Sequence, residues 1–209
     1  MVTARSLAVS IFCGLLWTPL IYAQDLSRYR EFQFGMSLLA VANQADVKPS
    51  EARVVHRRPA MIQELEWWPQ QPLAASSKAD PVKEVLFSFY NGELFRIVIH
   101  YDPYWTKGMR TDGMVEAISA TYGTATRPAA KIISFSSSQG YNDSEKVIAR
   151  WEDSQYSFNL FRSSYQPTFG MVVFSKRLDA LARLAIVGAI RLDEQEASAA
   201  RKATSKETR

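Results

Sequence analysis

Cysteine is almost missing: Cys13 is the only thiol, and it lies inside an N-terminal apolar run. If that run is removed, the remaining chain has no disulfide, no thiol nucleophile and no cysteine-based zinc or iron–sulfur site. Stability must then come from core burial, and a chain of this length can bury about 70% of its unfolded surface without covalent staples. Histidine is nearly as scarce. His56 and His100 stand at no metal-ligand spacing, and no HExxH, GxSxG, phosphate loop or dinucleotide fingerprint occurs. No cofactor is implied.

Excess charge is missing from the body. The formal charge of +4 resides in Arg5 and in the tail, where Arg201, Lys202, Lys206 and Arg209 stand against Glu207. Nucleic-acid binding needs a stripe of positive charge on one surface, so basicity confined to the ends argues against it. The tail reads as a solvated terminus.

The N-terminus does carry a signal. Arg5 precedes an apolar run from Leu7 to Ala23 that contains Pro19 and closes on Ile21-Tyr22-Ala23, the pattern of a secretory signal cleaved before Gln24. The expected location is periplasmic or secreted. The alternative is a membrane anchor formed by the uncleaved segment, since the run sits at the lower edge of what crosses a hydrocarbon core of about 30 Å. Membrane contact is expected only in that case. Ser10-Ile11-Phe12 before Cys13 is not the small-residue context of lipidation.

Beyond the signal, periodicity alternates between helix and strand. Leu38, Val41, Ala42 and Ala45 share a helical face behind a capping Ser37, entered through Phe34-Gly35-Met36. Thr111 is placed to cap a second helix with Met114, Val115, Ile118 and Tyr122 inward and Gly123 at its end. Both helices follow a Gly-Met pair, Gly35-Met36 and Gly108-Met109. Met61 to Trp68 reads as a strand, and Val82 to Tyr101 as a hairpin around Tyr90-Asn91-Gly92.

A two-residue loop would set Phe87 opposite Arg96 and Val85 opposite Val98. A three-residue loop with a glycine bulge sets Phe87 opposite Phe95 and Val85 opposite Ile97, gathering Val85, Phe87, Phe89, Phe95, Ile97 and Ile99 on one face. The second register is the expected one. It leaves Glu84, Ser88, Arg96 and His100 on a half-polar face that is wet or meets a partner.

Lys146 to Glu152, Tyr156 to Arg162 and Gly170 to Ser175 read as three more strands, with a turn at Asp153-Ser154-Gln155. Two polar segments, Pro69 to Pro81 and Ser134 to Ser144, read as surface loops. The expected fold class is α+β: two αβββ units, in the order of a tandem repeat, forming an antiparallel meander sheet with a C-terminal helix packed on it. The boundaries are 1–23 for the signal, 24–105 and 106–175 for the units, 176–200 for the helix and 201–209 for the basic tail. In that helix Leu178, Leu181, Ala182, Ala185, Ala189 and Leu192 form one stripe, while Leu184, Val187 and Ile190 add a second side. A helix apolar nearly all round packs across the sheet or joins a second subunit.

Chemistry-bearing residues are few. Glu64 and Glu66 share a strand face, as alternation alone arranges, and His100 reads as a surface histidine. Arg53, His56, Arg57 and Arg58 before Pro59 read as a solvated loop. More informative are the aromatic strand ends, Trp67-Trp68-Pro69 and Tyr101-Asp102-Pro103-Tyr104-Trp105, because large rings at loop edges anchor interfaces or stack on sugars. Adjacent tryptophans in a strand point to opposite faces. The expected binding residues are Trp67, Trp68, Tyr101, Tyr104 and Trp105.

Phe34-Gly35-Met36-Ser37 with Val41, followed by Phe87-Ser88-Phe89-Tyr90-Asn91-Gly92-Glu93-Leu94-Phe95-Arg96-Ile97, resembles the helix start and hairpin of the small outer-membrane assembly lipoproteins and of the beta-lactamase inhibitory protein. The whole chain also resembles exported bacterial proteins of unknown function. The resemblance spans about residues 34 to 101, with a fainter echo from Gly108 to Ser175. It implies a non-enzymatic envelope protein that binds a macromolecule, another envelope protein or a glycan, through its sheet. The residues and the resemblance together lead to an expected interaction protein using an exposed sheet face and the aromatic strand ends. The alternative is a small-molecule or glycan binder with a cavity between the sheet and the C-terminal helix.

Overall fold

The computed structural model describes residues 25–69, 82–128, 131–133, 144–162 and 168–207. The N-terminal apolar run expected as a signal, and most of the two polar segments expected as surface loops, lie outside the described residues. The protein is α+β. A two-stranded ribbon, β1 (Arg28–Tyr29) and β2 (Phe32–Gln33), leads into helix α1 (Leu38–Gln44). Ser37 caps α1 as its spacing predicts, its hydroxyl accepting from the Ala40 amide at 3.2 Å. Four strands follow: β3 (Arg53–His56), β4 (Ile62–Trp67), β5 (Val82–Tyr90) and β6 (Glu93–Tyr101). A short helix α2 (Pro103–Thr106) and helix α3 (Thr111–Tyr122) precede a second set, β7 (Lys131–Ile133), β8 (Ser144–Glu152), β9 (Tyr156–Arg162) and β10 (Phe169–Ser175). Helix α4 (Lys176–Glu207) closes the chain.

Each half therefore contributes four strands to the main sheet where the periodicity predicts three. The basic run expected to be a loop contains β3, whose Arg53 lies opposite Glu64 on β4 and bonds it at 2.5 Å. Sheet order is β3-β4-β5-β6-β10-β9-β8-β7, so the halves meet where the last strand of one pairs antiparallel with the last strand of the other, His100 opposite Gly170 and Arg96 opposite Phe174. Order within each half is the same counted inward from either edge. Both Gly-Met pairs also take the same shape, with Gly35 at φ 88° and Gly108 at φ 78°, a region that glycine enters without steric cost. Thr111 does not cap α3; it is the first helical residue, and Arg110 holds the cap position without a side-chain bond.

The central hairpin departs from both registers. Asn91 (φ 49°) and Gly92 (φ 84°) form a two-residue loop with both residues left-handed, the turn whose twist matches paired strands. Tyr90 pairs with Glu93 and Phe89 with Leu94, but Ser88 pairs with Arg96 and Phe87 with Ile97. The extra residue is thus Phe95, displaced from the turn into the strand. Leu94 replaces it among Val85, Phe87, Phe89, Ile97 and Ile99, while Phe95 turns to the other face beside Ile62, Leu178 and Ala182. The cause lies far away in sequence: the Gly35 amide donates to the Leu94 carbonyl and the Leu94 amide to the Met36 carbonyl, both at 2.8 Å. This segment occupies, at Glu93 and Leu94, the edge of β6 that β10 occupies further along.

Helices α1 and α3 cover one face through Val41, Ala42, Met114 and Ile118. The core there is aromatic and large, with Phe32, Phe87, Trp151 and Phe158 almost fully buried. Trp151 ties the layers together, its indole nitrogen donating to the Gly123 carbonyl at 2.9 Å and to the Ser119 hydroxyl at 3.3 Å, both at the end of α3.

Helix α4 covers the hairpin-tip half of the opposite face. It seats Leu178, Ala182, Ala185 and Ala189 inward, whereas Leu181, expected in the buried stripe, is exposed together with Leu184, Val187 and Ile190. Small inward residues let the helix approach closely; Gly188 lies against Pro59, where a Cβ would stand 3.2 Å from the ring. Arg96 and Ser88, expected on a face that is wet or meets a partner, are buried here under the chain's own helix. The Arg96 guanidinium donates through Nε and Nη2 to Asp179 Oδ1, and Arg183 Nε donates to Asp179 Oδ2 at 2.6 Å. One carboxylate thus holds a cation from the sheet and another from its own helix.

Candidate functional site

Strands β4, β6 and β9 run in the same direction and end at the same end of the sheet. Trp68 follows β4, and Tyr104 and Trp105 follow β6 on α2. Because β4 and β6 flank β5, their ends are separated by two strand spacings, about 10 Å. Three large rings therefore share one rim: Trp68 is 53% exposed, Trp105 49% and Tyr104 79%. Tyr104 and Trp105 stand edge to face, 5.9 Å between centroids at 89°. Their helix is short but anchored, since Asp102 Oδ1 accepts from the Tyr104 amide at 2.7 Å and the Thr106 hydroxyl donates back to the Asp102 carbonyl at 2.9 Å.

The other two expected binding residues lie elsewhere. Tyr101 is 3% exposed and belongs to the core; as a strand residue opposite Val82 it faces inward, which corrects its assignment to the contact surface. Trp67 points to the α1 and α3 side, its ring 5.3 Å from Phe32 and 6.1 Å from Phe87. The Trp67-Trp68 pair thus divides between a ring packed on the core and an exposed one just past the strand end.

Beside the rim, between α2, the start of α3 and the end of β9, lies an open cleft of about 550 Å³ with Lys107, Arg110 and Arg162 around it and Asp112 opposing them. No local pattern connects these cations with the aromatic residues; only the parallel course of β6 and β9 brings them to one place. A second depression, of about 570 Å³, opens on the α1 and α3 side between the N-terminal ribbon, the end of β4 and the last turn of α3, with Trp67 and Tyr122 in its walls.

Where a cavity between sheet and α4 is the alternative expectation, buried alanines and the Arg96–Asp179 pair form the contact, and neither cleft described above lies there. Glu64 is held by Arg53, and burial pushes its carboxyl up against that cation's pull, while Glu66 is exposed. Among the described residues no three histidine, cysteine, aspartate or glutamate side chains converge as a metal would require, and no helix is long and apolar enough to cross a membrane.

His100 is not the surface residue its pattern predicts. It sits opposite Glu84 and Gly170, 6.4 Å from the Phe161 ring, and burial, followed by the charge of Lys83, pushes its imidazole below the usual value. The folded state therefore favours neutral His100. Its contribution to stability is complete above the unfolded value of about 6.5 and is lost as pH falls through the lower folded value. Between pH 7 and 5, His100→Asn is expected to lose less Tm than the parent, measured by thermal melts in matched buffers. Glu64 and Glu84, both pushed up chiefly by burial, act with the opposite sign, because their protonated forms are favoured by folding.

Comparison with known proteins adds no relative: no family model, no curated protein and no solved structure matches this chain.

Proposed function

We propose that this protein is an exported, non-enzymatic binding protein that docks another protein of the envelope through the aromatic rim of its sheet. The observation that carries this reading is the exposure of Trp68, Tyr104 and Trp105 at one end of the sheet, two of them in fixed edge-to-face geometry. Aromatic side chains bring large contact area with little rotamer entropy to lose, and such residues dominate interface energetics. Lys107, Arg110 and Arg162 beside them suit a partner whose apolar patch is edged by carboxylates. The half-buried sheet face that α4 leaves open, with Glu84 and His100, continues the surface.

Crosslinking of the mature protein in its native envelope followed by mass spectrometry identifies the partner. The triple substitution Trp68→Ala, Tyr104→Ala, Trp105→Ala is expected to keep the parental melting curve and to weaken that complex by about thirtyfold or more, the effect of losing about 2 kcal/mol at a central anchor. Retained affinity in the folded triple variant would place the contact surface elsewhere.

A further inference from the structure

We infer that the depression walled by Trp67 and Tyr122 is a second, separate binding site, and that its ligand is a short uncharged oligosaccharide. Its apolar walls are rings, flat surfaces suited to the C–H faces of a pyranose, and its polar lining consists of Arg28, Arg30, Asp25, Glu31 and the Thr121 hydroxyl.

The charges decide the ligand class. Two cations and two anions line the site, and each has a partner already: Arg28 Nε lies 3.0 Å from Asp25 Oδ2, Glu31 accepts from Gln44 Nε2 at 3.1 Å, and Arg30 sits over the Tyr29 ring at 5.5 Å. Because the two cations and two anions cancel, an anion or a cation gains little net Coulomb attraction there. Hydroxyl groups can use both kinds of site, since a carboxylate has about four acceptor sites and a guanidinium five N–H donors, and groups already engaged keep further sites in fixed directions.

The walls are also held in place before any ligand arrives. Trp67 rests on Phe32 and Phe87, Tyr122 packs 4.7 Å from Phe158, and the ribbon is closed by the Phe34 amide donating to the Ser27 carbonyl at 3.0 Å. Walls already ordered reduce the entropy lost on binding. The volume of about 570 Å³ falls within the range of small-ligand sites.

The test titrates the mature protein with N-acetylglucosamine trimer, cellotriose and maltotriose, followed by calorimetry and tryptophan fluorescence. At least one trisaccharide is expected to bind. Thr121→Trp, at an exposed position on the last turn of α3, fills the depression without removing a core atom and is expected to weaken binding by about tenfold or more. The triple rim variant is expected to bind the sugar like the parent, which separates this site from the protein-docking surface. Binding of none of the three sugars, tighter binding of an acidic oligosaccharide such as a hyaluronan tetramer, or unchanged affinity in a folded Thr121→Trp protein would each overturn the assignment.

Discussion

Asp179→Ala is expected to destabilise the protein by about 3–5 kcal/mol, read as a fall in the urea midpoint at unchanged slope. Asp179 is 3% exposed and Arg96 5%, so removing the carboxylate leaves a guanidinium buried in the sheet face with its principal counter-charge gone. Arginine does not escape by deprotonation, and Arg183 loses the same partner. The pair itself contributes far less than its rupture costs, because both ions were taken out of water to form it. The double substitution Arg96→Met, Asp179→Leu is therefore expected to recover most of the loss. A double variant as unstable as Asp179→Ala would show that packing, rather than the orphaned charge, is responsible.

Trp151→Ala is expected to cost a similar amount, about 3–5 kcal/mol. The side chain is 2% exposed in the main core, and its removal opens a cavity between β8 and α3 while leaving the Gly123 carbonyl without its indole donor. Trp151→Phe keeps much of the volume and removes the hydrogen bonds, so a smaller loss of about 1–3 kcal/mol isolates the polar share. Both are measured by chemical denaturation. Equal losses in the two variants would mean that the cavity contributes nothing.

How far local pattern reaches is shown by the central hairpin. Alternation in Val85, Phe87 and Phe89 and the Asn-Gly pair located the strands and the turn, since both are properties of a few neighbouring residues. The displaced bulge at Phe95 was out of reach, because the backbone of Gly35 and Met36 fixes Leu94 from outside the hairpin. That contact also gives the Gly-Met-Ser segment and the hairpin motif one structural meaning: they bond to each other. β3 is hidden for a related reason: the cations Arg53, Arg57 and Arg58 and the following Pro59 outweigh the short Val54-Val55 pair until Glu64 is placed opposite Arg53. The ends of β9 and the turn at Asp153 were legible; Asp153 Oδ1 accepts from the Gln155 and Tyr156 amides at 2.6 and 2.7 Å.

The candidate site divides in the same way. That Trp68 is exposed while Trp67 packs inward, and that Tyr104 and Trp105 are exposed, follows from their places at or beyond a strand end next to a proline. Tyr101 went wrong because an aromatic residue at the last strand position faces the core or solvent according to register, and the register is set across the sheet. In α4 the apolar pattern runs nearly all round. Only docking shows that Leu178 and three alanines face the sheet and that Leu184 and Val187 face outward, because the surface they meet is formed by Phe95 and Ile62, which come from distant strands.

Chain chemistry by itself determined the three main helices and three strands of each half, the α+β class, the lack of thiol chemistry beyond the N-terminal segment and the supply of rings at strand ends, all of which depend on residues close together along the backbone. The tertiary structure alone decided that β6 meets β10, that Arg96 is buried against Asp179, and that Trp68, Tyr104 and Trp105 share one rim. Those outcomes depend on which distant segments exclude water from one another, and local periodicity does not carry that information.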